Sequence, residues 1–145
     1  MDRFKFRGRR IDNGELVYGS LLRNEFGWNI VTFESVLVDP DTNSHDLEMI
    51  LVGIVDGSQE QCTGLKDKNG KLIFEGDILK FRHKSGAMDC DLLVIYDKES
   101  VQLSLKSITN EKTYWCPDFD SLLIRENGVE VIGNIHENPE LLEHK

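Results

Sequence analysis

The stretch Cys62–Phe81, with the sequence CTGLKDKNGKLIFEGDILKF, contains two places where the chain must reverse direction. Asn69-Gly70 at its centre is the dipeptide that most readily adopts positive φ at both central positions of a type I′ hairpin turn. Glu75-Gly76-Asp77 forms a second tight corner, and Ile78–Phe81 leaves this corner as a strand. A hairpin followed by a sharp bend is typical of the start of a small closed β-barrel.

The residues before this stretch predict an antiparallel meander. Apolar and basic residues alternate at the N-terminus, so we expect Phe4 and Phe6 to face a core while Lys5 and Arg7 face outward. Short polar turns separate the predicted strands. The predicted strands are Phe4–Arg7, Leu16–Leu22 and Trp28–Phe33, and the turns are Ile11–Glu15 and Asn24–Gly27.

Residues 34–60 give the weakest signal. Asp39–Asn43 is predicted to be a loop, because Pro40 restricts Asp39 to extended conformations and the neighbouring residues favour turns. Leu47–Val55 is nearly continuous in apolar residues, which fits either a buried strand or a short helix capped by Ser44. Its β-branched residues favour the strand.

The remainder of the chain also predicts mainly strands, followed by one helical turn. Asn138 is a helix-capping residue, Pro139 suits the first helical position, and Glu140 complements the helix dipole. The fold class is therefore mainly β: an N-terminal meander over residues 1–60 and a small β-barrel over residues 61–145, or one compact unit containing both. The later predicted strands are Leu92–Tyr96, Val101–Leu105, Tyr114–Pro117, Ser121–Arg125 and 129–135.

The composition indicates a globular protein of a reducing compartment. A chain of 145 residues with 39% hydrophobic residues can fold without a metal or disulfides. The cysteines, Cys62, Cys90 and Cys116, are odd in number and lack CxxC spacing. The sequence has neither an apolar run of about 18 residues nor the pattern of a signal peptide, so we expect no membrane span and a location in the cytoplasm of a host cell.

The sequence contains no recognisable catalytic or metal motif. Asp39, Asp41 and Asn43 resemble the start of a calcium loop, but Ser44 replaces the required glycine and Ile50 the bidentate glutamate. The histidines and cysteines lack the paired spacing of a zinc site. Nucleophilic and nucleotide-binding motifs are also missing. We expect no catalytic residue, no metal and no cofactor.

Basic side chains cluster in two segments although the formal net charge is −9. They could hold nucleic acid or an acidic partner, or they could protect an edge strand from unwanted pairing, or they could meet acids of a neighbouring subunit. The overall negative charge repels phosphate, so we favour the structural interpretation and expect nucleic-acid binding to be weak. This candidate interaction surface comprises Arg3, Lys5, Arg7, Arg9, Arg10, Lys80, Arg82 and Lys84.

Two further segments belong with the stretch quoted above: FKFRGRRIDNGELVYGSLL at residues 4–22 and GVEVIGNIHENPELL at residues 128–142. Together the three segments resemble the YopX family, small proteins of phages and prophages of Gram-positive bacteria. The family commonly has a proline-containing segment before its Tyr/Phe-Thr-Gly, whereas Asp56–Cys62 is shorter and lacks the proline. The resemblance implies an SH3-like C-terminal barrel and a phage or prophage setting, but no biochemical activity.

The sequence therefore predicts a non-enzymatic accessory protein that acts through protein contacts. Three strands alone are too few to form a core, so Phe4, Phe6, Trp28 and Phe33 need cover from the C-terminal domain or from a second copy. We expect a homo-oligomer, with a phage or host protein as a further partner. The alternative is a nucleic-acid binding module that uses the N-terminal arginines.

Overall fold

The structure is a computed structural model that describes residues 5–82, 89–108, 113–114 and 128–143. Its described strands pair antiparallel, and a 3-10 helix spans Pro139–Leu142. The prediction of a mainly β chain is confirmed. The strands are β1 Phe6–Arg9, β2 Leu16–Asn24, β3 Gly27–Asp39, β4 Ser44–Gly53, β5 Glu60–Lys66, β6 Leu72–Phe74, β7 Asp77–Arg82, β8 Asp89–Asp97, β9 Gln102–Ser107, β10 Thr113–Tyr114 and β11 Glu130–Asn134.

The chain divides into two compact units, with the division between Gln61 and Cys62. The sequence-based boundary lay between residues 60 and 61. The N-terminal unit contains β1 to β4 and the first residues of β5, and the C-terminal unit contains the rest of β5 and the strands that follow.

The N-terminal unit is the expected meander, extended by a longer hairpin. β1 pairs with β2, β2 with β3 and β3 with β4, while the start of β5 pairs with β1. Leu47–Val55 is indeed a strand rather than a helix over most of its length, since β4 ends at Gly53. An isolated antiparallel bridge joins Arg10 to Ile54, directly after β1 and β4.

Two glycines allow close approach inside the N-terminal unit. A Cβ at Gly19 would lie 2.1 Å from the carbonyl oxygen of Val31, and a Cβ at Gly8 would lie 2.5 Å from Cδ1 of Ile54. Ile30 and Ile54 are buried in the small core next to them. A larger residue at Gly19 would meet the backbone of β3 and push the strands apart, whereas one at Gly8 would displace the side chain of Ile54.

The C-terminal unit contains a sheet with the strand order β10-β9-β8-β7-β11. Its edge strands, β10 and β11, do not pair with each other within the part of the chain that the structure describes. The predicted SH3-like barrel is therefore not confirmed. The predicted strand Ser121–Arg125 lies outside the described residues. The buried core consists of Ile73, Leu79, Leu92, Val94, Leu105 and Val129.

The central turn confirms one prediction and corrects another. Gly70 has a φ of 83°, as the Asn-Gly pair predicts. Type I′ is wrong, because positive φ outside glycine occurs among the described residues only at Asn43 and Val101, and therefore not at Asn69. The N–H of Gly70 donates to the carbonyl oxygen of Asp67 at 2.9 Å. This is the pattern of a type I turn followed by a left-handed glycine, in which Asn69 needs no positive φ.

The C-terminal turn begins where the sequence predicts, but its cap differs. Pro139 occupies the first turn and Glu140 is acidic there, as expected. Asn138 makes no capping hydrogen bond with its side chain. Its Oδ1 instead accepts from the N–H of Asn134 at 3.4 Å, so the side chain points back toward β11.

Candidate interaction surface

Arg7 is buried, which corrects the prediction that it faces outward. Its guanidinium contacts the carboxylate of Glu60, and the two side chains are 3% and 4% exposed. Phe6 beside it is only half-buried. The alternation of apolar and charged residues along β1 predicts that Arg7 faces outward. The buried carboxylate of Glu60 on the paired strand β5 instead stabilises the inward orientation of Arg7.

The other predicted basic residues that the structure describes are divided between the two units. Arg10 pairs with Asp12, with Nη2 to Oδ2 at 2.6 Å, and this hydrogen bond lowers the pKa of Asp12. Lys80 and Arg82 belong to the C-terminal unit, opposite acidic residues of neighbouring strands. Lys5 and Arg9 are half-buried, and Arg3 and Lys84 lie outside the described residues.

The calcium-like segment forms the turn of a hairpin. The carboxylate of Asp39 accepts from the N–H of Asp41 at 2.9 Å and from the hydroxyl of Thr42 at 2.8 Å. These bonds lower the pKa of Asp39, the bond from Thr42 most strongly. Asn43 adopts a φ of 52°, a conformation that Asn tolerates. The Asp and Asn residues of this segment thus account for the reversal between β3 and β4.

One face of the β3–β4 hairpin is apolar and exposed. Antiparallel partners share a face, and the register pairs Phe33 with Met49, Ser35 with Leu47 and Val31 with Leu51. Leu22 of β2 lies opposite Asn29 and so on this same face. We call these residues the apolar hairpin face: Leu22, Phe33, Leu47, Met49 and Leu51, which are 43%, 62%, 71%, 57% and 47% exposed.

The outer half of the hairpin is a two-stranded ribbon without a core. From the pair Phe33–Met49 to the turn, the described side chains of β3 and β4 are exposed apart from the half-buried Asp39. Val36 and Val38 are exposed there as well, at 40% and 62%. A two-stranded ribbon alone is marginally stable in water. A surface that covers the ribbon would therefore stabilise it.

The opposite face of the hairpin is acidic. Glu34 lies directly opposite Glu48, and Val36 lies opposite Asp46. Two like charges at directly opposed positions destabilise a strand pair. The stretch from Asn29 to Gly53 contains no lysine or arginine to compensate them.

β4 is an edge strand, at the end of its sheet. The N–H of Ile54 donates to the carbonyl oxygen of Trp28 at 3.0 Å, so Ile54 directs its backbone toward β3. The carbonyl oxygen of Gly53 points the other way and accepts from the N–H of Ile11 at 3.1 Å. Beyond this contact, no strand of the described residues pairs with the outer edge of β4.

Sequence reasoning identified Phe33 as needing cover but missed the rest of this face. The apolar run Leu47–Val55 suggested a strand buried on both faces, whereas Leu47, Met49 and Leu51 are exposed. The alternation of these residues with Asp46 and Glu48 was the available signal, because one apolar and one acidic face is the pattern of a strand at a surface.

Comparison with known proteins places the chain in a family. The sequence model of the YopX protein family matches residues 5–143, nearly the whole chain. The chain belongs to the YopX family. A solved structure, that of protein EF1440 from Enterococcus faecalis, is similar to this YopX chain with 26% sequence identity and a TM-score of 0.56. The similarity covers 95% of this chain and 96% of that one. No curated protein matches.

In the part of this YopX protein that the structure describes, no helix is long and apolar enough to span a membrane. Likewise, the described residues contain no group of three or more His, Cys, Asp or Glu side chains placed to hold a metal ion.

Proposed function

We propose that this YopX protein is a non-enzymatic self-assembly module, in which the apolar hairpin face of one chain is covered by a second copy. The proposal extends to a role as an accessory protein of a phage or prophage in the host cytoplasm, as the family resemblance implies. The exposure of Phe33, Leu47 and Met49 on one face is the observation that supports it most directly.

The size of the apolar face suits reversible association. Complete burial of one Leu, Phe or Met side chain contributes about 1.5–3 kcal/mol, and roughly half of that remains available in side chains that are already half-covered. Association costs about 4–15 kcal/mol in lost freedom. Two copies of the apolar hairpin face therefore roughly offset this cost, so we expect an oligomer that dissociates on dilution.

Light scattering coupled to size exclusion tests the proposal. The wild-type chain is expected to exceed the monomer mass at high micromolar concentration and physiological salt. Phe33→Lys removes an aromatic ring from the apolar hairpin face and is expected to give a monomer. Phe26→Lys is the matched control, because Phe26 is 88% exposed in the β2–β3 turn and lies outside this face.

Two outcomes contradict self-assembly through the apolar hairpin face. One is a wild-type chain that stays monomeric over the whole concentration range. The other is an oligomer that Phe33→Lys leaves intact, since its interface would then lie elsewhere on the molecule.

A further inference from the structure

We propose that β4 pairs with β4 of a second copy, antiparallel and about a two-fold axis at Met49, so that the sheet continues from one chain into the other. This inference rests on the proposed self-assembly and specifies how it occurs. It follows from the direction of the backbone groups along the edge of β4, from the distribution of its charges and from the position of Arg10.

The odd-numbered residues of β4 present hydrogen-bonding groups to the open edge. Antiparallel hydrogen bonding alternates along a strand. Because Ile54 points its N–H toward β3 and Gly53 its carbonyl away from β3, the N–H and C=O groups of Leu47, Met49 and Leu51 also point away from β3. An exposed edge of this kind, with neither proline nor bulge between Leu47 and Leu51, is a template for another strand.

Self-pairing centred on Met49 gives a hydrogen-bond partner to the outward-pointing N–H and C=O groups of all three residues. Met49 then lies opposite Met49 of the second copy, and Leu47 lies opposite Leu51 on either side. All three pairs join residues whose backbone groups point outward, so each pair exchanges two hydrogen bonds. The side chains of these paired residues also cover one another across the interface, because paired residues share a face.

The charges of β4 exclude the neighbouring registers. A centre at Glu48 places two glutamates directly opposite each other, and a centre at Leu47 places Asp46 opposite Glu48. A centre at Ile50 leaves only two outward-pointing pairs, Met49 with Leu51 on either side, before Gly53, whose carbonyl already accepts from Ile11. With the centre at Met49, Glu48 faces Ile50 and Asp46 faces Val52, so no carboxylates are opposed.

The same register brings a negative charge to Arg10. A shallow cavity of about 280 Å³ lies at the edge of β4, lined by Arg10, Ile11, Asp12 and residues 50–53. Asp46 of the second copy, opposite Val52, approaches this cavity on the side of Arg10. Arg10 already pairs with Asp12, and this hydrogen bond raises the pKa of Arg10. The incoming carboxylate would add a contact to a cation that is partly exposed, and symmetry repeats this contact at the other end of the interface.

Nitroxide labels on single cysteines test the register. Labels at positions 45, 47, 49 and 51 are introduced into a chain whose three native cysteines are replaced by alanine, and distances between copies are measured by electron paramagnetic resonance. The Cα atoms of position 49 are expected about 5.5 Å apart, those of positions 47 and 51 about 14 Å, and those of position 45 about 27 Å. A label at Leu22, two strands from the edge, is the control and is expected to lie beyond about 20 Å from its copy.

The label series separates failure of this inference from failure of self-assembly. An oligomer in which position 49 is not the closest, or in which positions 47 and 51 differ, overturns the β4 pairing while leaving self-assembly intact. A monomer at all concentrations overturns both.

A charge exchange in the native-cysteine chain provides a second test. Arg10→Glu and Asp46→Arg are each expected to weaken self-association about tenfold or more, and the double variant to recover most of that loss, because the exchanged charges meet again across the interface. A double variant as weak as the two single losses combined would show that Arg10 and Asp46 do not contact each other across the interface.

Discussion

Asp67 connects the central turn to β11. Its Oδ1 accepts from the N–H groups of Asn69 and Lys71 at 2.8 and 2.9 Å, and its Oδ2 accepts from the N–H of Val131 at 3.1 Å. Burial alone would raise the pKa of this carboxyl group, but the N–H donors of Val131, Lys71 and Asn69 together lower the pKa. A lowered pKa in the folded state means that the ionised form stabilises the fold.

We predict that Asp67→Asn destabilises the C-terminal unit by about 1–3 kcal/mol at neutral pH, because an amide cannot accept all three hydrogen bonds. The difference in free energy of unfolding between wild type and variant is fully present above the ordinary Asp pKa of 3.8. It is lost as the pH falls through the lower folded-state pKa of Asp67. Denaturant unfolding at a series of pH values measures it. An equal difference between wild type and variant at neutral pH and at pH about 2 would show that the charge contributes nothing.

Gly70 is predicted to resist replacement by a β-branched residue. Its φ of 83° is a conformation that valine adopts poorly, although a Cβ there would meet no atom within 4 Å. Gly70→Val is expected to lower the free energy of unfolding by more than about 1 kcal/mol, and Gly70→Asn by less, because asparagine tolerates the left-handed region. Thermal unfolding compares the two. Equal losses for Val and Asn would show that backbone conformation is not the cause.

Arg7 and Glu60 join β1 to β5 inside the N-terminal unit. Both side chains are buried, and an ion pair that has lost one partner leaves an uncompensated charge away from water. Replacing both residues with apolar side chains leaves no uncompensated charge in the interior. We therefore expect the pair to specify the register of β1 against β5 more than it adds net stability.

We predict that Arg7→Met and Glu60→Leu each destabilise the N-terminal unit by about 3–5 kcal/mol and that the double variant loses far less than the sum. Fluorescence of Trp28 in β3 monitors unfolding of this unit when Trp115, the second tryptophan of the chain, is replaced by Phe. Additive losses in the double variant would mean that the two side chains are not energetically coupled.

The sequence is informative about strands and turns because these depend on local residues. Asn69-Gly70 and Asp39–Asn43 each mark a reversal that the structure contains, and β4 was distinguishable from a helix by its β-branched residues. The orientation of Arg7 depends on Glu60, far along the chain, and alternation alone could not identify that partner. The exposure of Leu47 and Met49 likewise depends on β4 lying at the edge of its sheet, which is a property of the strand order and not of the strand itself.

The charge of the whole chain determines which partners are attracted at a distance. The net charge is −9, and the β3–β4 hairpin contributes acids without a lysine or arginine. Among the N-terminal basic residues that the structure describes, Arg7 is buried against Glu60 and Arg10 pairs with Asp12. The cations that suggested a phosphate-binding surface are thus partly compensated within the chain itself.

We predict weak or absent binding of labelled DNA and RNA at physiological salt, since phosphate is repelled by the overall charge and Arg7 cannot contact it. Fluorescence anisotropy at low and physiological salt measures the affinity. The variant that tests the basic residues is Arg9→Ala with Arg82→Ala, which leaves the buried pair of Arg7 intact and so avoids loss of the fold. Submicromolar binding that falls steeply with salt and disappears in this variant would favour a nucleic-acid binding module. Binding that Arg9→Ala with Arg82→Ala leaves unchanged would point to other cations of the chain.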